Sequence, residues 1–191
     1  MPPPDPRPLP GEPLALDLLD TEFVVEGDPV DLLAAPGPCA AWRHHALGPE
    51  AGAAGADGDA ARAPLVEARA AIRAVAVAVP GPVPPEARDA LDRVLARGRV
   101  RRSLGPDGRP AATVEVADPA WRPAVLAAYD LLDILAEHPD RIRQCEHDKC
   151  VLWFLDTSRN GTRRWCTMAR CGNRAKAERH YRRVQRRRAT S

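Results

Sequence analysis

Four cysteines in the C-terminal quarter of the chain are the residues whose type and spacing carry the clearest chemistry. They form two pairs of equal spacing, Cys145-x4-Cys150 and Cys166-x4-Cys171, with 15 residues between the pairs. Thiolates bind zinc well, and four of them around one ion form the closed tetrahedron of a structural site. With no position left for water, the spacing predicts one structural Zn²⁺ and not a catalytic metal. The alternative is four buried or reactive thiols without a metal.

Basic residues surround this cluster, and we expect them to contact nucleic acid. The last helix is predicted to carry a thin apolar stripe at Ala177, Tyr181 and Val184, with Glu178 as its one acid. Arginine on such a face suits phosphate contact. The predicted nucleic-acid-binding residues are Arg159, Arg163, Arg164, Arg174, Lys176, Arg179, Arg182 and Arg183. The alternative, a basic tail that only aids solubility, applies most to residues 186–188.

The charge of the chain is divided sharply between its two parts. Residues 1–140 carry 13 basic and 22 acidic side chains, a net charge of −9, whereas residues 141–191 carry 15 and 4, a net charge of +11. Such asymmetry favours a polyanionic partner for the basic part. Charge alone does not distinguish DNA from RNA, and most contacts of this kind go to the backbone.

The elements that must position the cysteines follow from the local sequence. Residues 151–155 are apolar and predict a strand, Asn160-Gly161 predicts a hairpin turn, and residues 162–165 predict the returning strand. A helix is predicted from Arg174 to about residue 188. A knuckle, a hairpin and a helix that starts at the last ligand form the plan of a treble-clef finger. His147 and His180 are expected to be solvated, and Cys39 to be a small buried apolar residue.

The N-terminal part predicts a mainly helical domain with one small sheet. Residues 1–13 are rich in proline and predict a disordered or extended lead-in. Leu14–Thr21 is a strand or a helical turn, and we favour the strand. The remaining predicted elements are a short helix from Asp28 to Ala35, a helix over 38–47, a loop over 48–61, helices over 62–79 and 85–97, a hairpin over 99–116, and a helix from Asp118 to Glu137. The fold class is α+β, with a domain at 14–138 and a four-cysteine finger at 141–188.

These residues resemble a known family. The finger, and above all Cys171-Gly-Asn-Arg174, is similar to the CGNR zinc finger, which is named after that tetrapeptide. The N-terminal ABATE domain of that family opens with a segment similar to Leu14-Ala-Leu-Asp-Leu-Leu-Asp-Thr21, although Asp20 replaces the family's Asn and Leu18 its Phe. The resemblance implies a stress-induced transcription regulator whose finger binds DNA and whose front domain senses a small ligand.

Three functions remain open at this stage. The first is a DNA-binding transcription regulator, and the second is a module that binds structured RNA or the ribosome. The third is a small-molecule-binding or catalytic front domain, in which the finger has only a stabilising role. Asp17, Asp20, Arg69 and Arg73 are the candidate lining of a ligand pocket. No nucleotide-binding loop, nucleophile elbow or zinc-protease motif occurs, so no enzyme is expected. Neither a signal peptide nor a membrane span is predicted, and the expected location is the cytoplasm.

Overall fold

Helices are the main regular elements of the N-terminal part. The structure, a computed structural model, describes residues 3–48 and 59–189, except for the side chains at 183 and 186–189. Most of the predicted loop at 48–61 therefore lies outside the described residues. The helices are α1 (Leu14–Leu19), α2 (Pro36–Leu47), α3 (Arg62–Ala78), α4 (Pro85–Leu95) and α5 (Arg122–Glu137). With three small two-stranded sheets, they confirm the predicted α+β class.

The first element is a helix, so the prediction of a strand over Leu14–Thr21 was wrong. Every residue from Ala15 to Leu19 is buried, which means that α1 has no solvent-facing side. A short run that is buried all round shows no helical period in its sequence and cannot be told from a buried strand. The helical conformation places Asp17 and Asp20, three residues apart, on the same side of the chain.

The predicted short helix at Asp28–Ala35 is also wrong, because its start belongs to a hairpin. Strand β1 (Glu22–Val25) pairs antiparallel with β2 (Asp28–Asp31). The two connecting residues, Glu26 and Gly27, have φ angles of 53° and 104°, as a tight two-residue turn requires. Pro29 is tolerated because each strand of a two-stranded sheet is an edge strand.

The front core forms where α1 lies against α3 and α5. Its fully buried large side chains include Leu16, Trp42, Leu65, Ile72 and Leu131. The remaining space is filled by alanines of α3 and α5, which let the helices approach closely. Cys39 is fully buried in this core, as predicted.

A hairpin and a capped helix complete the front domain as the sequence predicted. Strand β3 (Gly98–Leu104) pairs with β4 (Pro110–Val116). The side chain of Asp118 then accepts a hydrogen bond from the backbone N–H of Ala120 at 2.9 Å, which caps a 3₁₀ turn that leads directly into α5. Among the described residues, no helix is long and apolar enough to cross a bilayer.

The C-terminal part contains one short hairpin, but its strands are not the predicted ones. Strand β6 (Trp153–Leu155) pairs with β5 (Ile142–Gln144), which precedes the first cysteine, and not with residues 162–165. The loop between β5 and β6 therefore carries the first cysteine pair. Residues 162–165 form no strand, because their backbone is held by side chains of the turn. A π-helical turn (Met168–Gly172) leads into α6 (Asn173–Ala189), which confirms the predicted last helix.

Candidate metal centre and basic surface

The four predicted cysteine ligands converge on one point. Their sulfur atoms all lie within 4.8 Å of one another, with 3.9 Å between Cys150 and Cys166 and 3.6 Å between Cys166 and Cys171. A tetrahedral zinc site with Zn–S bonds of about 2.3 Å requires sulfurs roughly 3.8 Å apart. The cluster therefore has the size and the donor set of a zinc tetrathiolate.

Two different local structures bring the cysteine pairs together. The first pair lies on the knuckle between β5 and β6, where the Cys145 N–H donates to the Leu152 carbonyl at 2.8 Å and the Cys150 N–H to the His147 carbonyl at 2.8 Å. In the second pair, Cys171 is placed by the π-helical turn, and its N–H donates to the Thr167 carbonyl at 3.2 Å. Both turns direct their sulfurs to the same side.

The site is closed to solvent on most sides. Cys145, Cys166 and Cys171 are buried, and Phe154, which is fully buried, packs beside them. The neighbouring Trp153 packs in the front core instead. Only Cys150 is partly exposed. A closed tetrahedron in an apolar surrounding stabilises a fold and offers no position for a substrate.

The crowding of the sulfurs means that they cannot all be thiolates without a cation. Hydrogen bonds from Cys150 and Cys166 lower the pKa of Cys145, because they stabilise its thiolate. The same contacts raise the pKa of Cys150 to about 12 and also raise that of Cys166. Binding of a divalent cation to this cluster therefore displaces protons and couples metal affinity to pH.

Arg163 turns inwards and braces the loop that leads to Cys166. Its Nε donates to the Trp165 carbonyl at 3.0 Å, and its guanidinium stacks on the Phe154 ring with Cζ 4.2 Å from the centroid. Its backbone N–H donates to Asp156 at 2.9 Å, while the other Asp156 oxygen accepts from the Ser158 N–H at 2.9 Å. The role of Arg163 visible in the structure is thus to hold the zinc loop.

His147 is buried, so the expectation of a solvated histidine was wrong. Its Nδ1 accepts a hydrogen bond from the Lys149 N–H at 3.2 Å, and its Nε2 lies 3.6 Å from a Glu178 carboxylate oxygen. Glu178, the single acid among the basic residues of α6, thereby lies against the zinc knuckle. His180 is exposed, as expected.

The other predicted nucleic-acid-binding side chains that are described are exposed. They are Arg159, Arg164, Arg174, Lys176, Arg179 and Arg182. Arg164 donates to Glu146 at 2.6 Å, and Arg179 donates to the Ala175 carbonyl at 3.3 Å. The side chain of Arg183 lies outside the described part of the chain. The six exposed cations are called the basic surface below.

The predicted apolar stripe of α6 does not face the finger. Ala177 and Tyr181 are exposed, with 64% of Tyr181 accessible, and Val184 is only half-buried. Among the described side chains of this helix, the buried apolar one is Ala175, which lies one turn after the last zinc ligand. The side of α6 towards the finger carries Ala175, Glu178, Arg179 and Arg182, which share a pocket with residues 146–148.

Two family matches agree with this geometry. Residues 12–138 match the ABATE family, whose description is "putative stress-induced transcription regulator", and residues 141–184 match the CGNR zinc finger. The ABATE match alone covers more than half of the chain.

This chain belongs to the ABATE family. No curated protein shows significant similarity to it. The CGNR match and the convergence of the cysteines together identify one structural zinc ion, held by Cys145, Cys150, Cys166 and Cys171.

The four residues predicted to line a ligand pocket in the ABATE domain are all engaged in internal contacts. Asp17 accepts from the Trp42 indole N–H and from Arg7, both at 2.8 Å. Arg69 binds both oxygens of Asp31 at 2.6 and 2.8 Å, and this contact lowers the pKa of Asp31.

Arg73 pairs with Glu22, and Arg69 reaches the same carboxylate at 3.1 Å. Both arginines thus attach the β1–β2 hairpin to α3. Asp20 contacts the finger instead. The four residues therefore make separate internal contacts and do not line one pocket.

Carboxylates of the ABATE domain bind the free edge of β6 in the CGNR finger. The backbone N–H of Trp153 donates to Asp20 at 2.7 Å, and that of Leu155 donates to Glu12 at 2.8 Å. The second oxygen of Glu12 lies 3.6 Å from the Arg163 guanidinium. Sequence reasoning missed Glu12, because nothing in its neighbourhood marks it as a partner of a strand 143 residues away.

Burial makes Asp20 an unusual acid. The side chain is 2% exposed, and its second oxygen has no hydrogen-bond partner among the described residues. Desolvation raises the pKa of Asp20 to about 9. Asp20 is therefore protonated at neutral pH, and in this form it has nearly the shape and polarity of an asparagine side chain.

The proline-rich segment before α1 contains bends and turns over residues 8–12 and is packed against the rest of the chain. Leu9 is buried in the cluster that contains Cys145 and Cys166, and Arg7 pairs with Asp5 and Asp17. Arg170 donates to the Pro8 carbonyl at 2.9 Å. The segment therefore connects the ABATE domain with the start of α6.

Proposed function

We propose that this chain is a transcription regulator that binds duplex DNA through the basic surface of its CGNR finger, while the ABATE domain responds to a small effector. The observation that supports DNA binding most directly is the exposure of six cations on and around a helix that begins at a zinc ligand. The family description supports the regulatory role. The zinc has a structural part in this proposal, and the protein is not an enzyme.

The physical argument rests on charge and on position. Arg174 and Lys176 lie on the first turn of α6, and Arg179 and Arg182 on the following turns, while Arg159 and Arg164 lie on the loop before Cys166. Cations on a rigid helix can contact successive phosphates with only a small loss of side-chain entropy. The six side chains are exposed and therefore accessible to phosphates, whereas the net charge of the ABATE part of the chain is negative.

We leave Arg163 out of the proposed interface. Its guanidinium already contacts carbonyl oxygens and the Phe154 ring, and moving it to a phosphate would release the loop beside the zinc. Glu178 is likewise assigned to the knuckle, where it lies beside His147, which accounts for an acid in an otherwise basic helix.

A mobility-shift titration tests this proposal. Full-length zinc-loaded protein is titrated against duplex DNA and against structured RNA at matched salt. We expect DNA to bind more tightly, with a log–log salt slope of about −5 if about six phosphates are engaged. Arg174→Ala and Arg182→Ala should each weaken binding, whereas the control Arg102→Ala, which removes an exposed arginine from β3, should not.

The proposed role in transcription regulation is tested by sequencing the DNA that is recovered with the protein from cells. Enrichment of particular promoter regions supports a regulator. Preference for RNA in the titration would favour the RNA-binding alternative. An affinity that does not change with salt would favour the alternative in which the finger only stabilises the front domain.

A further inference from the structure

A cleft of about 770 Å³ lies where the ABATE domain meets the CGNR finger. The β1–β2 hairpin forms one wall, and the zinc knuckle with the start of α6 forms the other. Small-molecule sites commonly have volumes of about 300–1,000 Å³ and often occur between domains. The cleft is distinct from the predicted pocket at Asp17, Asp20, Arg69 and Arg73, none of which lines it.

Both walls of the cleft contain apolar side chains. Phe23 and Val25 lie on the hairpin side, and Val151 and Leu152 lie on the finger side. Val25 is 45% exposed and Val151 40% exposed. Apolar side chains that face each other across a gap offer a ligand with an apolar body more buried area than either wall could alone.

Charged groups surround these apolar walls. Lys149, Arg170 and Arg174 are exposed at the cleft, and the acids beside them are Glu26 and Asp148. Three of the cysteines, Cys150, Cys166 and Cys171, line the floor of the cleft, although Cys166 and Cys171 are buried. A zinc tetrathiolate has a formal charge of −2, so a ligand's acidic group is favoured away from the floor, at the rim beside Lys149 and Arg174.

We propose that this cleft binds a small organic acid, with its apolar body between Val25 and Val151 and its acidic group at Lys149 and Arg174. This inference rests on the effector half of the proposed function, and the binding site itself can be tested without DNA. It identifies the site and the chemical class of the effector, which the family match does not.

The position of the cleft gives such a ligand a means of regulation. The hairpin wall is attached to α3 by the ion pairs of Arg69 with Asp31 and Glu22. The opposite wall belongs to the finger, and Arg174 is part of both the cleft and the basic surface. A bound acid therefore bridges the two domains and competes with phosphate for Arg174, so that it lowers DNA affinity.

The test uses 8-anilinonaphthalene-1-sulfonate, a fluorescent probe with an apolar body and one acidic group, on the full-length zinc-loaded protein. We expect saturable binding of one equivalent. Amide chemical shifts of the unsubstituted protein should change at residues 23–27 and 149–152. Val151→Asp should weaken probe binding at least tenfold. The matched control, Leu104→Asp, alters a side chain that is 73% exposed on β3 and should have no effect.

Two results would overturn the inference. If the uncharged probe N-phenyl-1-naphthylamine binds as tightly as the sulfonate, the ligand class is wrong. If Val151→Asp keeps its zinc and its circular dichroism spectrum but binds the sulfonate normally, or if the shift changes fall elsewhere, the site is wrong. Neither result bears on DNA binding, which is measured without the probe.

Discussion

The Asp20 carboxyl group accepts the backbone N–H of Trp153 at 2.7 Å and thereby joins the first helix of the ABATE domain to a strand of the zinc finger. The contact is buried and connects residues 133 positions apart in the sequence. A neutral carboxyl group serves as well as an amide in accepting this hydrogen bond. The charge of Asp20 and the stability of the folded protein should therefore both depend on pH.

Asp20→Asn should flatten the dependence of stability on pH. The pKa of Asp20 rises from 3.8 to about 9 on folding, so between these pH values the folded protein keeps a proton that the unfolded chain releases. Stability of the natural protein therefore falls as pH rises through this window. Relative to it, Asp20→Asn should gain about 4 kcal/mol between pH 5 and pH 8, since the natural protein loses about 1.36 kcal/mol per pH unit in this window and Asn does not titrate.

Urea denaturation at several pH values measures this difference. Glu12 is present in both proteins, and the upward shift of its pKa caused by burial cancels in the comparison. A constant difference in stability from pH 5 to pH 8 would show that Asp20 is ionised in the folded protein.

Removal of the zinc should unfold the finger and leave the ABATE core folded. The finger has only a small apolar cluster around Phe154, so metal binding supplies much of its folding free energy. Cys171→Ser should release zinc and lose the helical signal of α6, whereas Cys39→Ser, at a buried cysteine outside the cluster, should retain the metal. Zinc content and far-ultraviolet circular dichroism report the two effects, and retention of zinc by Cys171→Ser would contradict the ligand assignment.

Arg163 and Arg159 should respond to alanine substitution in opposite ways, although they are four residues apart in the same basic loop. Arg163→Ala removes the contacts with the Trp165 carbonyl and the Phe154 ring, and should cost about 1–3 kcal/mol of stability. Arg159→Ala should change stability by less than about 0.5 kcal/mol but weaken DNA binding. Thermal denaturation and mobility shift together separate them, and equal effects on both properties would refute the division of roles.

Each phosphate contact should also contribute to the salt dependence of binding. Alanine at Arg174 or Arg182 should reduce the log–log slope by roughly 1, because one fewer counterion is released from the DNA. The slope should remain unchanged for Arg102→Ala, which lies on the exposed hairpin of the ABATE domain. Salt titrations of the three variants on one duplex provide the measurement.

The sequence predicted those parts of the site that depend on local spacing. The four cysteine ligands follow from two repeated intervals, and the basic helix follows from a run of helix-forming residues after Cys171. The β3–β4 hairpin is equally local, since Gly105-Pro-Asp-Gly108 lies between two alternating runs. In each case the residues that determine the structure are close together in the chain.

The parts that the sequence did not predict depend on distant partners. Burial of His147 requires Glu178 from α6, and packing of Leu9 requires the zinc cluster far along the chain. The helical form of α1 depends on its burial among α3 and α5, because its own residues have no period. Tertiary contacts of this kind leave no trace in residue spacing.

The short segment around Pro8 and Leu9 has a consequence for the evolution of this architecture. Leu9 packs beside the cysteines, and Pro8 accepts a hydrogen bond from Arg170 just before the basic helix. A finger excised with its four ligands alone would lack part of its own interior. In this protein, a recombination event that exchanges the finger would therefore also have to exchange the segment around Pro8 and Leu9. The finger and the ABATE domain are for this reason expected to be inherited together.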